Sequence, residues 1–249
     1  MEFKPNYGNW VPMRVIFVPA ALGLIFLGLT LLSPVLVFPA GLFLFISLYF
    51  LYARCLFSPR GELQDQIRDQ VLAHLDWDGE GQALDIGCGN GALTIDIAHD
   101  YPRTRVLGID CWGKKWEYSK DTCERNARIE GVNDRVSFEK ANASALPFND
   151  ECFDAVVSNL VFHEVHGTAD KRELIYEALR VVRKGGKFSF QDPFLLKQAY
   201  GDIDDLIENI RSRGINKVEF IETRNMAFIP WTLKLPFMVG RIGIIAGEK

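Results

Sequence analysis

The sequence lacks any C-x-x-C pair. Its five cysteines (Cys55, Cys88, Cys111, Cys123, Cys152) are an odd, scattered set, which gives no sign of a disulfide framework or a zinc site. Reduced thiols in a cytoplasmic setting are the simplest reading. A basic surplus is missing too: 28 Lys and Arg stand against 32 Asp and Glu, for a net charge of −4. That balance argues against a dedicated nucleic-acid binder. There is no internal repeat. From Val15 to Ala53 charge is absent altogether. With 48% hydrophobic residues over 249 positions, disorder is not expected.

The charge-free run divides the chain into unlike parts. One span of a bilayer needs about 20 residues, so the run is long enough for two. Ser33-Pro34 interrupts it, with Pro39 close behind. Proline suits a turn or a first helical turn rather than a helix interior. The expectation is therefore two transmembrane helices, over 15–32 and 35–52 (or 39–56), within an N-terminal membrane hairpin at 1–57. Lys4 and Arg14 flank one end and Arg54 and Arg60 the other, while the connecting turn is uncharged. The positive-inside rule places both ends in the cytoplasm. A signal peptide would have a shorter apolar region and a cleavage site of small residues.

The remainder, 58–249, alternates apolar runs with amphipathic stretches, which suggests βαβ units and a parallel sheet. Strands are expected at 82–86, 105–110, 136–140, 153–158, 187–191, 217–221 and 241–246. Helices are expected at 62–75, 92–99, 114–130, 171–183 and 203–213. Leu63, Ile67, Val71 and Leu75 form one helical stripe. Trp116, Cys123 and Ala127 form another, read as core.

Asp85-Ile86-Gly87-Cys88-Gly89-Asn90-Gly91 follows an apolar run and precedes a helix-like one. Glycines allow a sharp turn and close approach to a ligand, and the helix behind them points N–H groups at it. Asp110 ends the next strand, where a carboxylate can accept from both hydroxyls of a ribose. An adenosine-containing ligand follows. Gly87, Gly89 and Ala92 also satisfy the loose dinucleotide fingerprint, which alone is weak evidence. Asp85 would repel a pyrophosphate but suits a cationic amino group.

This stretch resembles the first motif of the class I S-adenosylmethionine-dependent methyltransferases. Further matches follow in order: Gly108-Ile109-Asp110, then Asn142 through Phe148, Phe153 through Asn159, and Ala178 through Gly186. The pattern is most similar to the ubiquinone/menaquinone-biosynthesis type and covers about 62–192. The resemblance implies an α/β fold: a Rossmann-like seven-stranded sheet with helices on both faces. It implies S-adenosylmethionine as cofactor and a small-molecule methyl acceptor. It assigns Asp85 to the methionine amino group; Gly87, Gly89 and Gly91 to the methionine and ribose portions; and Asp110 to the ribose diol. Cys111 and Trp112 would lie against adenine. Asn142 stands where the family usually has Asp bonding the adenine amino group, and its carbonyl can accept the same bond. Ala143 would offer its backbone N–H, and Ser158 a backbone carbonyl near the methionine end. Cys88 and Cys111 otherwise read as small packing residues.

Asn159 through His166 borders the acceptor pocket in the resembling family. A base is needed only if the acceptor must lose a proton. His163 is the best candidate, with His166 and Glu164 next; its rival role is packing at the loop. His163, Glu164 and His166 match no strong metal pattern, so no metal is expected. The apolar, aromatic run 226–239 would cap the core, cover the acceptor pocket or dip into a membrane interface. An Asn-Pro-Pro-Tyr motif after strand four is absent, which argues against amino-group methylation of nucleobases or glutamine. The expected whole is a methyltransferase on the cytoplasmic face of the cell membrane, acting on a lipophilic acceptor. The alternatives are a non-catalytic S-adenosylmethionine-binding module and an NAD-dependent oxidoreductase.

Overall fold

The computed structural model describes residues 4–58, 62–113, 118–215 and 217–249. The chain divides into two compact units. One is Gly8–Asp65; the other is Gln66–Lys249 together with the residues before Gly8.

The first unit is a helix pair. Helix α1 (Arg14–Leu29) and helix α2 (Val37–Leu56) are joined by a turn and a 3-10 segment, Pro34–Leu36. Ser33 is extended (φ −149°), as a residue before proline must be, and this ends the first helical run. The two helices approach closely at Gly23, where an added Cβ would lie 2.7 Å from Leu44 Cγ. Ser47 Oγ donates to Ile16 O at 3.0 Å. Asn9 Nδ2 ties the outer ends by donating to Arg54 O and Phe57 O. The continuous helix Pro34–Leu56, of 23 residues, is long and apolar enough to cross a membrane. Helix α1, with 16 residues, is about 24 Å long and falls short of that length. The structure thus supports one full-length candidate span rather than the expected two. The first helix stops at Leu29, not Leu32, and the second runs on to Leu56.

The second unit is built on a seven-stranded sheet of order β3-β2-β1-β4-β5-β7-β6. The strands are β1 (Gln82–Ile86), β2 (Arg105–Asp110), β3 (Val136–Lys140), β4 (Phe153–Asn159), β5 (Val182–Asp192), β6 (Lys217–Ile221) and β7 (Gly243–Glu248). Neighbouring strands among β1–β5 pair in parallel, while β7 runs antiparallel to both β5 and β6. The helices are α3 (Leu63–Ala73), which begins in the first unit, then α4 (Ala92–Asp100), α5 (Lys120–Ile129), α6 (Arg172–Val181), the short α7 (Lys197–Tyr200) and α8 (Ile203–Ser212). Ile67 and Val71 are buried on the inner face of α3, while Leu75, also buried, lies past the helix end at Ala73, two residues short of the expected end. One apolar core joins α6 and α8 to the sheet through Leu174, Phe188, Phe190 and Leu206. The other joins Val71 and α4 to the opposite face through Ala83, Ile97 and Val157.

Several boundaries differ from expectation. Helix α5 starts at Lys120 because Ser119, extended, caps it by accepting from Thr122 N at 3.2 Å. Its expected beginning at 114–117, with Trp116, lies outside the described residues; Cys123 and Ala127 are buried. Strand β5 begins five residues early, since Val182 already pairs with Phe153 across a register shift. Strand β7 starts at Gly243, where pairing with Asp192 sets its register. Strand order reverses between β1 and β4, so the glycine loop after β1 sits at the switch point where open α/β sheets bind ligands.

Candidate functional site

The loop 87–91 leaves β1 and enters α4. Gly87, Gly89 and Gly91 all have positive φ (77°, 58° and 83°). At Gly87 the requirement is double: a Cβ there would lie 2.2 Å from Val161 Cγ2. The segment after β4 is therefore packed directly on the glycine loop.

Most of the loop's backbone donors are used internally. Gly87 N and Cys88 N donate to Ile109 O at 2.7 and 2.9 Å, and Gly91 N to Cys88 O at 2.7 Å. Gly89 N donates to Asp110 Oδ2 at 3.0 Å. A pyrophosphate site needs such N–H groups turned to the ligand. Beneath the loop, Asp85 is 1% exposed and accepts from Thr94 Oγ1 at 2.6 Å. Burial, with the charge of Asp110 adding to it against Thr94's opposing bond, pushes its carboxyl up to about 7. Gly108 leaves room for this pair, since a Cβ there would meet Thr94 Oγ1 at 2.7 Å.

Asp110 accepts a second backbone bond, from Trp112 N to Oδ1 at 2.7 Å. Each oxygen keeps a lone pair for a ribose hydroxyl. Trp112, at φ 40°, folds its indole back so that Nε1 donates to Gly89 O at 2.9 Å. Cys111 is exposed, unlike buried Cys88, so only Cys88 is a packing residue. Asn142 Oδ1 accepts from Ser144 N at 3.0 Å within its own turn, with Ala143 half-buried between them. Ser158 is buried and its hydroxyl donates to Ile86 O at 3.0 Å, tying β4 to β1 just below the loop.

The edge after β4 carries the remaining candidates. Leu160 turns at φ 58° and its N–H donates to Gln191 O at 2.8 Å. A 3-10 turn, Phe162–Glu164, then presents His163. His166 is exposed and its Nδ1 is 2.7 Å from Glu164 O. Among the described residues no three ligand-type side chains converge as a metal site.

Sequence reasoning missed several residues here. Tyr118 packs its ring 3.5 Å from the Cβ position of Gly89, and burial pushes its phenol up to about 12. Asn126, fully buried on α5, clamps the chain before the helix pair. Its Oδ1 accepts from Asn6 N at 2.9 Å, and its Nδ2 donates to Asn6 O and Asn90 O at 3.0 Å. Asn90 Nδ2 also donates to Asn6 O, at 3.2 Å. On β4 and β5, Asn159 and Gln191 lie side by side in register. Gln191 Nε2 and Oε1 and Asn159 Oδ1 are buried with no hydrogen-bond partner among the described residues. An amide of this kind is conspicuous in sequence only as a polar residue at the end of an apolar strand.

Comparison with known proteins agrees with this geometry. Residues 84–190 match the family model described as a methyltransferase domain. That stretch is thus similar to methyltransferase domains over less than half of the chain. The chain is 33% identical over 155 residues to the 27-O-demethylrifamycin SV methyltransferase of Amycolatopsis mediterranei, covering 61% of this chain and 53% of that one. It is 30% identical over 125 residues to the ubiquinone/menaquinone biosynthesis C-methyltransferase of Desulfotalea psychrophila, covering 50% and 46%. The chain spans about half the length, or less, of such curated relatives. Among solved structures, the geranyl diphosphate C-methyltransferase of Streptomyces coelicolor superposes with a TM-score of 0.56 at 15% identity, over 76% of this chain and 77% of that one. The [4+2]-cyclase SpnF superposes with a TM-score of 0.55 at 21% identity, over 75% and 80%. The methyltransferase-domain fold thus also occurs in a protein named for another reaction, and function must be argued from the site.

Proposed function

We propose that the chain transfers the methyl group of S-adenosylmethionine to a small, lipophilic acceptor at the cytoplasmic face of the cell membrane. The observation that carries the reading is the state of the glycine loop. Four of its N–H groups, those of Gly87, Cys88, Gly89 and Gly91, are spent on Ile109, Cys88 and Asp110, and a buried carboxylate, Asp85, lies beneath it. That arrangement is poor for a dinucleotide phosphate and suited to a cationic amino acid carrying a nucleoside. Asp85 draws the amino group, Asp110 the ribose diol, and Asn142, Ala143, Cys111 and Trp112 border the adenine. Gly87, Gly89, Gly91 and Ser158 line the methionine end. When bound, the cofactor would supply an electrophilic methyl group on a positively charged sulfur, which leaves as a neutral thioether. The protein's share is alignment and exclusion of water, with His163 as the candidate catalytic side chain on the acceptor edge.

The apolar helix pair supports the lipophilic acceptor. Phe17, Leu24, Phe38, Phe45 and Leu48 point outward, each more than half exposed, as suits side chains facing lipid. Helix α2 is long enough to span, and the shorter α1 fits a pair whose two ends lie on one face, next to Arg14 and Arg54. Anchoring concentrates the enzyme where an apolar acceptor partitions. A relative named for ubiquinone/menaquinone biosynthesis accords with such an acceptor.

Calorimetry on the detergent-purified full chain is expected to give heat with S-adenosylmethionine and none with NADH. Methyl-labelled cofactor incubated with total lipid extract and with soluble metabolites is expected to label the lipid phase. Heat with NADH alone would overturn the methyltransferase reading. Label confined to water-soluble products would remove the lipophilic acceptor.

A further inference from the structure

Among the described residues, exposed large apolar side chains fall in two places only: on the helix pair and in the loop between β6 and β7. In that loop Trp231 is 82% exposed and Leu235 37%. A tryptophan held in water forgoes the burial that its large ring favours. At a bilayer interface the ring settles at the headgroup level while its N–H stays hydrated.

The exposure is built into the loop. Leu233 N donates to Pro230 O at 2.9 Å, Val239 N to Leu233 O at 3.2 Å and Gly240 N to Leu235 O at 3.1 Å. Leu233 and Val239 are buried and hold the loop to the core. Gly240 lets it close, since a Cβ there would lie 2.2 Å from Lys234 O. Trp231 and Leu235 are thus turned outward by a folded loop and not by a frayed one.

The charge pattern points to the surface that this loop fits. Positions 223–247 carry Arg224, Lys234 and Arg241 and no acid, although the whole chain has a net charge of −4. Arg224 pairs with Glu222 at 2.7 Å, which leaves Lys234 and Arg241 as the net charge of the loop. Cations beside an interfacial tryptophan suit an anionic lipid surface. Position matters as well. Gly243, which opens β7, pairs with Asp192 at the end of β5, and Leu195 N donates to Arg241 O at 3.2 Å. Because β1, β4 and β5 run parallel, this is the sheet edge that also carries the glycine loop and the turn after β4.

We propose that the loop 230–240 docks on an anionic phospholipid bilayer, with Trp231 and Leu235 entering the headgroup region and Lys234 and Arg241 meeting lipid phosphates. This rests on the membrane part of the proposed function and adds to it a second contact, on the ligand edge of the sheet. An apolar acceptor then passes from the bilayer to that edge without crossing bulk water.

The test uses the full chain reconstituted in vesicles, with the emission of Trp231 taken as wild type minus Trp231→Phe. In phosphatidylcholine vesicles containing phosphatidylglycerol, that emission is expected to shift to shorter wavelength, to be quenched by lipid brominated near the headgroup end of its acyl chains, and to resist acrylamide. Lys234→Gln and Arg241→Gln should each lower the ratio of docked to undocked loop about fivefold. Salt near 1 M, where the Debye length is about 3 Å, should also lower it. Leu235→Ser should weaken the quenching while melting temperature and cofactor affinity hold. Quenching of equal strength in pure phosphatidylcholine would overturn the choice of an anionic surface. If the chain floats with the vesicles while Trp231 is unquenched and open to acrylamide, the docking is refuted and the helix-pair anchor stands. Shielding from acrylamide without lipid quenching, together with a dimer by light scattering, would assign the loop to a second copy of the chain and refute the proposal as well. A chain that does not float removes both the anchor and the docking, and calorimetry with S-adenosylmethionine judges the methyltransferase reading apart from either.

Discussion

Two buried side chains set stability against function. The carboxyl of Asp85 has a native pKa near 7 against 3.8 for the exposed group, chiefly because burial disfavours its charge. The native state therefore holds more protons than the unfolded chain between those values. Its stabilising contribution is present at low pH and is lost as pH rises through that window. Ligand binding runs the other way, since only the charged carboxylate attracts an ammonium group. Affinity for S-adenosylmethionine is expected to fall as pH drops below about 7. Asp85→Asn should bind the cofactor at least about tenfold more weakly and lose that pH dependence, while its cofactor-free melting temperature at pH 8 rises above wild type. Calorimetry and thermal denaturation across pH 5.5–8.5 check both halves. Gln191 makes the same point without charge. An amide buried without partners costs about 1–3 kcal/mol, so Gln191→Leu should stabilise the fold by an amount of that order. If the amide serves the acceptor, the variant's KM for acceptor rises while its cofactor affinity holds.

At the level of the element, the glycine loop and the helix pair are both governed by close approach. Gly87→Ala combines a positive φ, costing about 1–2 kcal/mol, with a Cβ 2.2 Å from Val161. The expected result is a protein that folds less stably and binds cofactor poorly, measured by denaturant unfolding and calorimetry. Gly23 performs the same service between α1 and α2. Gly23→Leu should splay the pair, read as loss of cross-linking between cysteines placed at the two outer ends. The elements themselves were largely legible, because helix and strand periodicity is local. The apolar stripe of α3 and the runs of β1, β2, β3 and β6 match the structure to within a residue or two. The misses have tertiary causes. Val182 joins β5 because Phe153 pairs with it, and Gly243 rather than Arg241 opens β7 because Asp192 lies opposite.

For the molecule as a whole, the membrane reading gives a direct prediction. Leu24 and Leu48 are exposed on α1 and α2. If those faces meet lipid, Leu24→Lys with Leu48→Lys adds about 2.5–3.5 kcal/mol per charge at mid-membrane, and the chain should move from the carbonate-resistant membrane fraction to the soluble one. If they meet water, the double variant stays where the wild type is found. The sheet-bearing unit should keep its cofactor affinity in either case, as the candidate site residues lie in it.

The sequence by itself determined what depends on neighbours along the chain: the charge-free run, the glycine turn behind an apolar strand, and the carboxylates Asp85 and Asp110 at fixed distances from it. Turn conformation and strand alternation are local physics, so the cofactor loop could be read before any fold was known. Only the tertiary structure decided which groups meet. Asp192 reaches His163 across 29 positions and Asn126 grips Asn6 across 120, contacts that arise because the sheet order brings strand ends together and no pattern of residues announces. It also decided which donors of the glycine loop are already spent. Burial and partnership, on which charge and proton affinity depend, are properties of the packed chain.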